Sequence, residues 1–363
     1  MANNTLISFE PATGDELWSA PHTDVAAAVS RARKAWPSWA ATAIGTRIEI
    51  TRRFANAVRK RADEFAYLIA REAGKPLWEA HTEVEAVINK VDVSVTAYAE
   101  RTGKKRRDSA LQGASALRHK PHGVMAVLGP YNFPAHLPNG HIIPALIAGN
   151  TVLFKPSEKT PASGEMLVTC LSEAGLPENV VQLVIGGPEE GKDLVAHPGV
   201  DGVLFTGSAQ TGIAINRKLA ANPGKIVALE MGGNNPLVVV DTPKLDDAAV
   251  LIAQSAFTTA GQRCTAARRL IVKESVYDDL MSALLPLVRK LIVGEPLAEP
   301  QPFMGPVIDL PTAEGLNESF ITLVTAGGKA LLPMRQPMAN KPFLTPGIID
   351  TTAIPDRPDI ELF

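Results

Sequence analysis

The sequence predicts an α/β protein: a doubly wound parallel sheet with a helical shell ahead of it, followed by a second α/β domain. From Gly123 onward short apolar runs alternate with helical stretches, the rhythm of βαβ units. The runs GVLF (202–205), IVAL (226–229) and PLVVV (236–240) are unbroken by polar residues, as parallel strands covered on both faces require. The chain has 363 residues, 45% hydrophobic and 20% charged, enough for a large core in about two domains.

Taken in order, Asp24–Trp36, Thr46–Ala73 and Leu77–Glu100 read as long helices, with Ile50, Phe54, Val58, Phe65 and Leu68 near helical spacing. They make the shell. Lys104–Lys120, with its KKRR run and Gly113, reads as an exposed hairpin, and KKRR as solvated surface rather than a nucleic-acid site. The sheet follows: GVMAVLG (123–129), a helix through Pro144–Ala148, TVLFK (151–155), a helix through Cys170, then VQLV (181–184), GVLF and KIVALE (225–230). A boundary near Glu230 separates a first domain, 1–229, from a second, 230–363, where PLVVV, a helix over Asp246–Ala260, a strand around Leu270 and a helix near Tyr277 continue the alternation. Proline becomes frequent after Pro296 and marks a loop-rich stretch.

Lys and Arg number 36 against 38 Asp and Glu, so no global field favours nucleic acid or an anionic membrane. Met1–Pro11 lacks the basic start and apolar run of a secretory signal, and no stretch is apolar for long enough to span a bilayer; a cytoplasmic protein is expected. Two cysteines, Cys170 and Cys264, are too few for a disulfide scaffold or a Cys-rich metal site, and no metal is expected.

The two cysteines read differently. Cys170 lies on the apolar helix MLVTCLSEAG and is expected to be inert core. Cys264 lies in TTAGQRCTAARRL, where small residues and Gly261 allow a ligand close to the backbone and Arg263 offers positive charge to favour thiolate; a buried, inert thiol is the plainer alternative. Glu230 closes KIVALE ahead of two glycines and two asparagines. It suits a general base if partial burial raises its pKa; taken alone, an ion-paired glutamate at a strand end is the better reading. In LFTGSAQTGIAI a strand runs into a helix through Gly207, Ser208 and Gly212, so amides at the helix start can face a phosphate, although such glycines often serve only the turn.

GPYNFP (129–134), AGNTVLFKPSE (148–158), FTGSAQTG (205–212), LEMGGNNP (229–236) and GQRC (261–264) resemble the aldehyde dehydrogenase superfamily in sequence, order and spacing. FEPATGDEL, MGPVID, PFLTPGII and the closing ELF extend the resemblance along nearly the whole chain. It implies an aldehyde dehydrogenase-like fold, with Cys264 as nucleophile, Glu230 as the base that activates water, and Asn132 with the Cys264 amide binding the oxyanion of a thiohemiacetal. It also implies NAD as cofactor: Lys155 and Glu158 at the adenosine ribose, where a carboxylate would repel a 2′-phosphate, Gly207, Ser208 and Gly212 at the pyrophosphate turn, and Glu361 at the nicotinamide ribose.

Tyr131, HLPNGH (136–141), GGNNP and GQRC most resemble the branch acting on succinylglutamic semialdehyde in arginine breakdown. Such a substrate carries two carboxylates besides its aldehyde. Arg263, then His136 and His141, are the candidate partners for them. Another semialdehyde, a coenzyme-A-acylating relative and a catalytically silent scaffold are the competing readings; Glu230 argues against the second. Family members continue beyond ELF, so the second domain is expected to be incomplete and the tail that pairs subunits absent. The resemblance implies a homo-oligomer for the full-length protein, and that assembly is not carried over to these residues.

Overall fold

The computed structural model describes residues 5–103, 105–108 and 113–355. In chain order, β1 (Thr5–Phe9) and β2 (Glu16–Pro21) pair with each other, and α1 (Val25–Ala41), α2 (Ile44–Lys60), α3 (Ala62–Ala73) and α4 (Leu77–Arg101) follow. β3 (Lys105–Asp108) and β4 (Ala114–Leu117) form an antiparallel pair within the expected hairpin. Then come β5 (Val124–Leu128), α5 (His136–Ala148), β6 (Thr151–Lys155), α6 (Pro161–Glu173), β7 (Val181–Leu183), α7 (Pro188–Ala196), β8 (Gly202–Gly207), α8 (Ala209–Leu219) and β9 (Ile226–Met231). The rest comprises β10 (Asn235–Val239), α9 (Leu245–Phe257), a 3-10 turn (Thr258–Gly261), β11 (Ala267–Val272), α10 (Glu274–Arg289), α11 (Leu310–Thr325), β12 (Lys329–Leu332) and β13 (Ile348–Asp350).

The chain divides into two compact units. The first gathers the start to Ser8, Trp18–Leu68 and His81–Glu230; the second gathers Phe9–Leu17, Ile69–Ala80 and the chain from Met231. Phe9–Leu17 and Ile69–Ala80 precede residue 230 in sequence yet count with the second unit, because their partners are there. Arg71 Nε donates to Glu10 at 2.6 Å, and Trp78 Nε1 donates to the Pro302 carbonyl at 3.0 Å. Contacts separated by 61 and 224 positions are invisible to a reading of local pattern.

In the first unit the sheet order is β7-β6-β5-β8-β9. β5 is parallel to both β6 and β8, and β6 to β7; Ile226 N–H donates to the Asp201 carbonyl, aligning the starts of β9 and β8. The chain therefore winds outward from β5 one way to β7, then crosses back to continue as β8 and β9. Val25, Ala28, Val29 and Ala32 of α1, Leu194 of α7 and Ile215 of α8 cover one face with Val124, Ala126, Leu153 and Val203. α5 and α6 pack against β5, β6 and β7. Gly149, at φ 92°, ends α5 in the left-handed conformation that glycine tolerates, and Asn150 Oδ1 then accepts from the amides of His122 and Gly123 at 2.7 and 3.0 Å. This fastens the entry to β5 beside the entry to β6.

In the second unit β10 and β11 pair in parallel, α9 and α10 close a core around Ile252, Leu280 and Leu284, and β12 pairs antiparallel with β13.

Several elements depart from the sequence expectation. The stretch Thr46–Ala73 is two helices broken at Arg61; Arg59 and Lys60 favour the end of α2, and Asp63 and Glu64 the start of α3, each complementing a helix dipole. α1 continues through Pro37 to Ala41 instead of stopping at Trp36. The helix placed over Asp246–Ala260 ends at Phe257, where the backbone turns left-handed at Thr259 and Ala260. The stretch after Pro296, marked as loop-rich, also holds α11.

Candidate active site

Ligands of doubly wound sheets sit at the carboxyl ends of the strands, near the point where strand order reverses. In the first unit that point lies between β5 and β8. The loop leaving β5 carries Asn132, which is buried and whose Oδ1 accepts from the Phe133 amide at 3.0 Å. The helix it enters, α5, has no cap from its own N-terminal side chain; instead buried Glu83 of α4 accepts from the amides of Ala135 and His136 at 2.9 and 3.0 Å.

At the end of β6, Lys155 is buried, and burial holds its ammonium below the usual lysine range while Glu158 and Glu190 pull it back up. Its Nζ donates to the Pro156 carbonyl at 3.1 Å and lies 3.8 Å from Glu158 Oε2, whose side chain is 42% exposed. A half-open carboxylate beside a buried ammonium offers acceptor and donor to a vicinal diol. At the end of β8, a Cβ on Gly207 would sit 2.5 Å from the Phe205 ring, so close packing keeps this position glycine. Ser208 is exposed and caps α8, its Oγ accepting from the Thr211 amide at 3.2 Å. Gly212 is buried one turn into the helix and its N–H is committed to the Ser208 carbonyl at 3.0 Å. Its part is packing, and with the Thr211 amide taken by Ser208, the amides left to face an anion are those of Ala209 and Gln210.

Glu230 is the penultimate residue of β9 and is exposed, so the partial burial expected of it is absent; the strand's last two residues run clear of the packed core. His141 is bonded through Nε2 to Thr206 Oγ1 at 3.1 Å. Burial pushes its pKa below the usual range, against the pull of Glu230 and with the push of Lys90. It therefore sits neutral near pH 7 rather than offering a fixed cation to a carboxylate. His136 stacks edge-on against Phe133, with ring centroids 6.4 Å apart.

In the second unit Cys264 follows the 3-10 turn and is half-buried, whereas in the first Cys170 is fully buried and burial pushes its thiol up to about 11. The Cys264 carbonyl accepts from Asn235 Nδ2 at 2.5 Å, and the same nitrogen donates to the Ala266 carbonyl at 3.1 Å. Arg268 donates to the carbonyls of Gly233 and Arg263 at 2.8 and 2.6 Å. Arg263, expected at the substrate, turns its guanidinium elsewhere: Nη2 donates to fully buried Glu79 at 2.7 Å and Nε to Thr259 Oγ1 at 2.7 Å. Its fork is used on the loop that carries Cys264. Glu361 lies outside the described residues, as does Lys104 of KKRR.

Sequence reading passed over Glu79 and Glu83. The signal was present: two acids one helical turn apart, on the stripe that also carries buried Ala80, Val84 and Val87. Among the described residues no cluster of His, Cys, Asp or Glu could hold a metal ion, and no helix is long and apolar enough to cross a membrane.

The sheet of the first unit carries Asn132, Lys155 and Ser208 at its strand ends, and the second unit presents a half-buried cysteine on a pinned loop, the residues that the resemblance assigns to an aldehyde-oxidising enzyme. The chain belongs to the aldehyde dehydrogenase family, whose model matches residues 1–356. It is 65% identical to an N-succinylglutamate 5-semialdehyde dehydrogenase of Novosphingobium aromaticivorans, over the whole of this chain and 77% of that protein. Among solved structures, an NADP-dependent enzyme of E. coli superposes with a TM-score of 0.90 at 31% identity, covering 95% of this chain and 72% of the other. A betaine aldehyde dehydrogenase of Staphylococcus aureus in complex with NAD+ gives 0.89 at 28% identity, covering 96% and 72%.

Proposed function

We propose that this protein oxidises N-succinylglutamate semialdehyde to N-succinylglutamate with NAD, in arginine catabolism. The observation that carries the reading is the 65% identity, unbroken across the chain, to a relative bearing that name. The site chemistry supports it from below.

Cys264 is the nucleophile: as a thiolate its sulfur adds to the aldehyde carbon, and the oxygen becomes an oxyanion. Asn132 and the Cys264 amide are the donors for that charge, each worth about 3 kcal/mol in acyl-transfer sites. Lys155 and Glu158 would hold the adenosine ribose of the cofactor, and the first turn of α8 behind Gly207 and Ser208 its pyrophosphate; donor, acceptor and free amides match those groups. When bound, NAD supplies the hydride acceptor that turns the thiohemiacetal into a thioester. Glu230, exposed at the end of β9, takes a proton from water as the water attacks the thioester carbon. The C–S bond breaks, the acid leaves, Cys264 is released as the thiolate, and Glu230 returns its proton to solvent. Arg263 is committed to Glu79 and His141 to Thr206, so neither is assigned to the substrate's carboxylates, and His136 is kept as the candidate.

NADH formation from succinylglutamic, succinic and glutamic semialdehydes tests the reading. The highest kcat/KM should fall on the first, and Cys264→Ala should abolish it. A higher value on another aldehyde, lost equally with Cys264→Ala, would keep the dehydrogenase and discard the substrate.

A further inference from the structure

Thr259, Ala260 and Gly261 hold φ angles of 59°, 52° and 75° in succession, just before Cys264. L side chains adopt that conformation only where surroundings impose it. At Thr259 it is held by Glu79, a carboxylate with 0% exposure. Its Oε2 accepts from the Thr259 amide at 3.0 Å, and its Oε1 accepts both the Thr259 hydroxyl and Arg263 Nη2, the latter at 2.7 Å. Thr259 Oγ1 in turn accepts from Arg263 Nε at 2.7 Å. Carboxylate, hydroxyl and guanidinium thus close a ring that spans residues 259 to 263 and ends one residue short of the sulfur.

We propose that Glu79 is a positioning residue for the Cys264 thiol, acting through Thr259 and Arg263; this rests on the reading of Cys264 as nucleophile. Stability alone does not account for the arrangement, because apolar side chains of similar volume commonly replace a buried ion pair at no loss. What an ion pair adds is a defined geometry: Arg263 can satisfy Glu79 and Thr259 together in one orientation of the 259–263 backbone. That orientation sets where the next residue's Cβ points. Arg263 is then a strut of the nucleophile loop and not a receptor for substrate charge.

The experiment compares Glu79→Gln, Arg263→Leu, the double variant and Cys264→Ala in the purified protein. It measures turnover on succinylglutamic semialdehyde and on a neutral aldehyde, alkylation of Cys264 by iodoacetamide, and NAD binding by fluorescence. Misplacing a nucleophile by about 1 Å costs about a hundredfold in rate. Each single variant should therefore lower kcat by about tenfold to a hundredfold on both aldehydes, with KM changed by less than about twofold, slower alkylation and unchanged NAD binding. The double variant should be no worse than the worse single, as for residues acting as one unit. Where Glu79→Gln does not fold, Thr259→Val, which keeps the amide and removes the hydroxyl, carries the same expectation. Wild-type alkylation and kcat in these variants would overturn the proposal, and so would an Arg263→Leu effect confined to KM for the charged aldehyde. Full turnover by Cys264→Ala would instead sink the nucleophile assignment beneath it.

Discussion

The side-chain amide of Asn235 donates 2.5 Å to the carbonyl of Cys264, from the first residue of β10 to the residue expected to do the chemistry. The same nitrogen reaches the Ala266 carbonyl, so one side chain holds the carbonyls of the residues on both sides of Thr265. Asn235→Ala removes both bonds and leaves two partly buried carbonyls to find water. A loss of about 1–3 kcal/mol in urea unfolding is expected, together with a fall in kcat that exceeds any change in KM. Unchanged unfolding midpoint and kcat would show that the loop holds itself.

Glu83 does for α5 what a capping side chain normally does. Glu83→Ala strips the Ala135 and His136 amides of their acceptor, three and four residues beyond Asn132. A destabilisation of about 2 kcal/mol is expected from one buried and one part-buried donor left without an acceptor, with weaker oxyanion support read as lower kcat. Glu83→Gln, which retains an acceptor, should recover most of the stability; no difference between the two variants would remove the capping role.

On the proposed reading, Glu158 sets cofactor preference by charge. Its carboxylate lies 3.8 Å from Lys155 Nζ and is open to solvent, placed to accept from ribose hydroxyls and to repel a phosphate. Wild-type kcat/KM should favour NAD, and Glu158→Gln should narrow the ratio by raising NADP use. Equal use of both by the wild type would refute the preference.

His141 makes stability depend on pH in a stated direction. Its folded pKa is depressed, chiefly by burial, so the neutral ring favours folding above the unfolded value of about 6.5, and that contribution is lost as pH falls through the folded value. His141→Gln can still bond Thr206 and does not titrate. Its urea midpoint should therefore fall less than the wild type's between about pH 7.5 and 5; parallel curves would show that His141 does not matter to acid stability.

Cys170 and Cys264 should separate by alkylation. Burial raises the Cys170 thiol to about 11, assisted by Glu173, so near pH 8 the native protein should label at Cys264 first. The sign at the alkaline end is the reverse of His141's: the stabilisation from a neutral Cys170 is complete below the usual thiol value and lost as pH rises through about 11. Cys170→Ala should flatten that alkaline loss. Native labelling of Cys170 as fast as Cys264 would contradict both expectations.

Much of the first unit was legible because its strands are covered on both faces. VMAVL and the VLF cores of β6 and β8 are apolar throughout, and at the carboxyl ends of β6 and β8 Lys155 and Gly207 stand where a site must open. The break at Arg61 was signalled by basic residues before it and acidic ones after it, yet the apolar spacing of Ile50, Phe54 and Phe65 runs across the break and conceals it. The exposure of Glu230 was not legible, since a carboxylate after an apolar strand reads the same whether packed or free.

The chain alone determined the βαβ alternation, the family signature around Asn132 and Cys264, and the burial of Cys170, because each depends on residues close in sequence: periodicity, motif spacing and an apolar helix face. Tertiary structure decided the roles of charged groups. Arg263 is adjacent to Cys264 in sequence, yet its guanidinium belongs to Glu79, 184 positions earlier. A charge is read by its neighbours in space, and at a few ångströms' separation a buried partner outweighs every residue beside it in the chain.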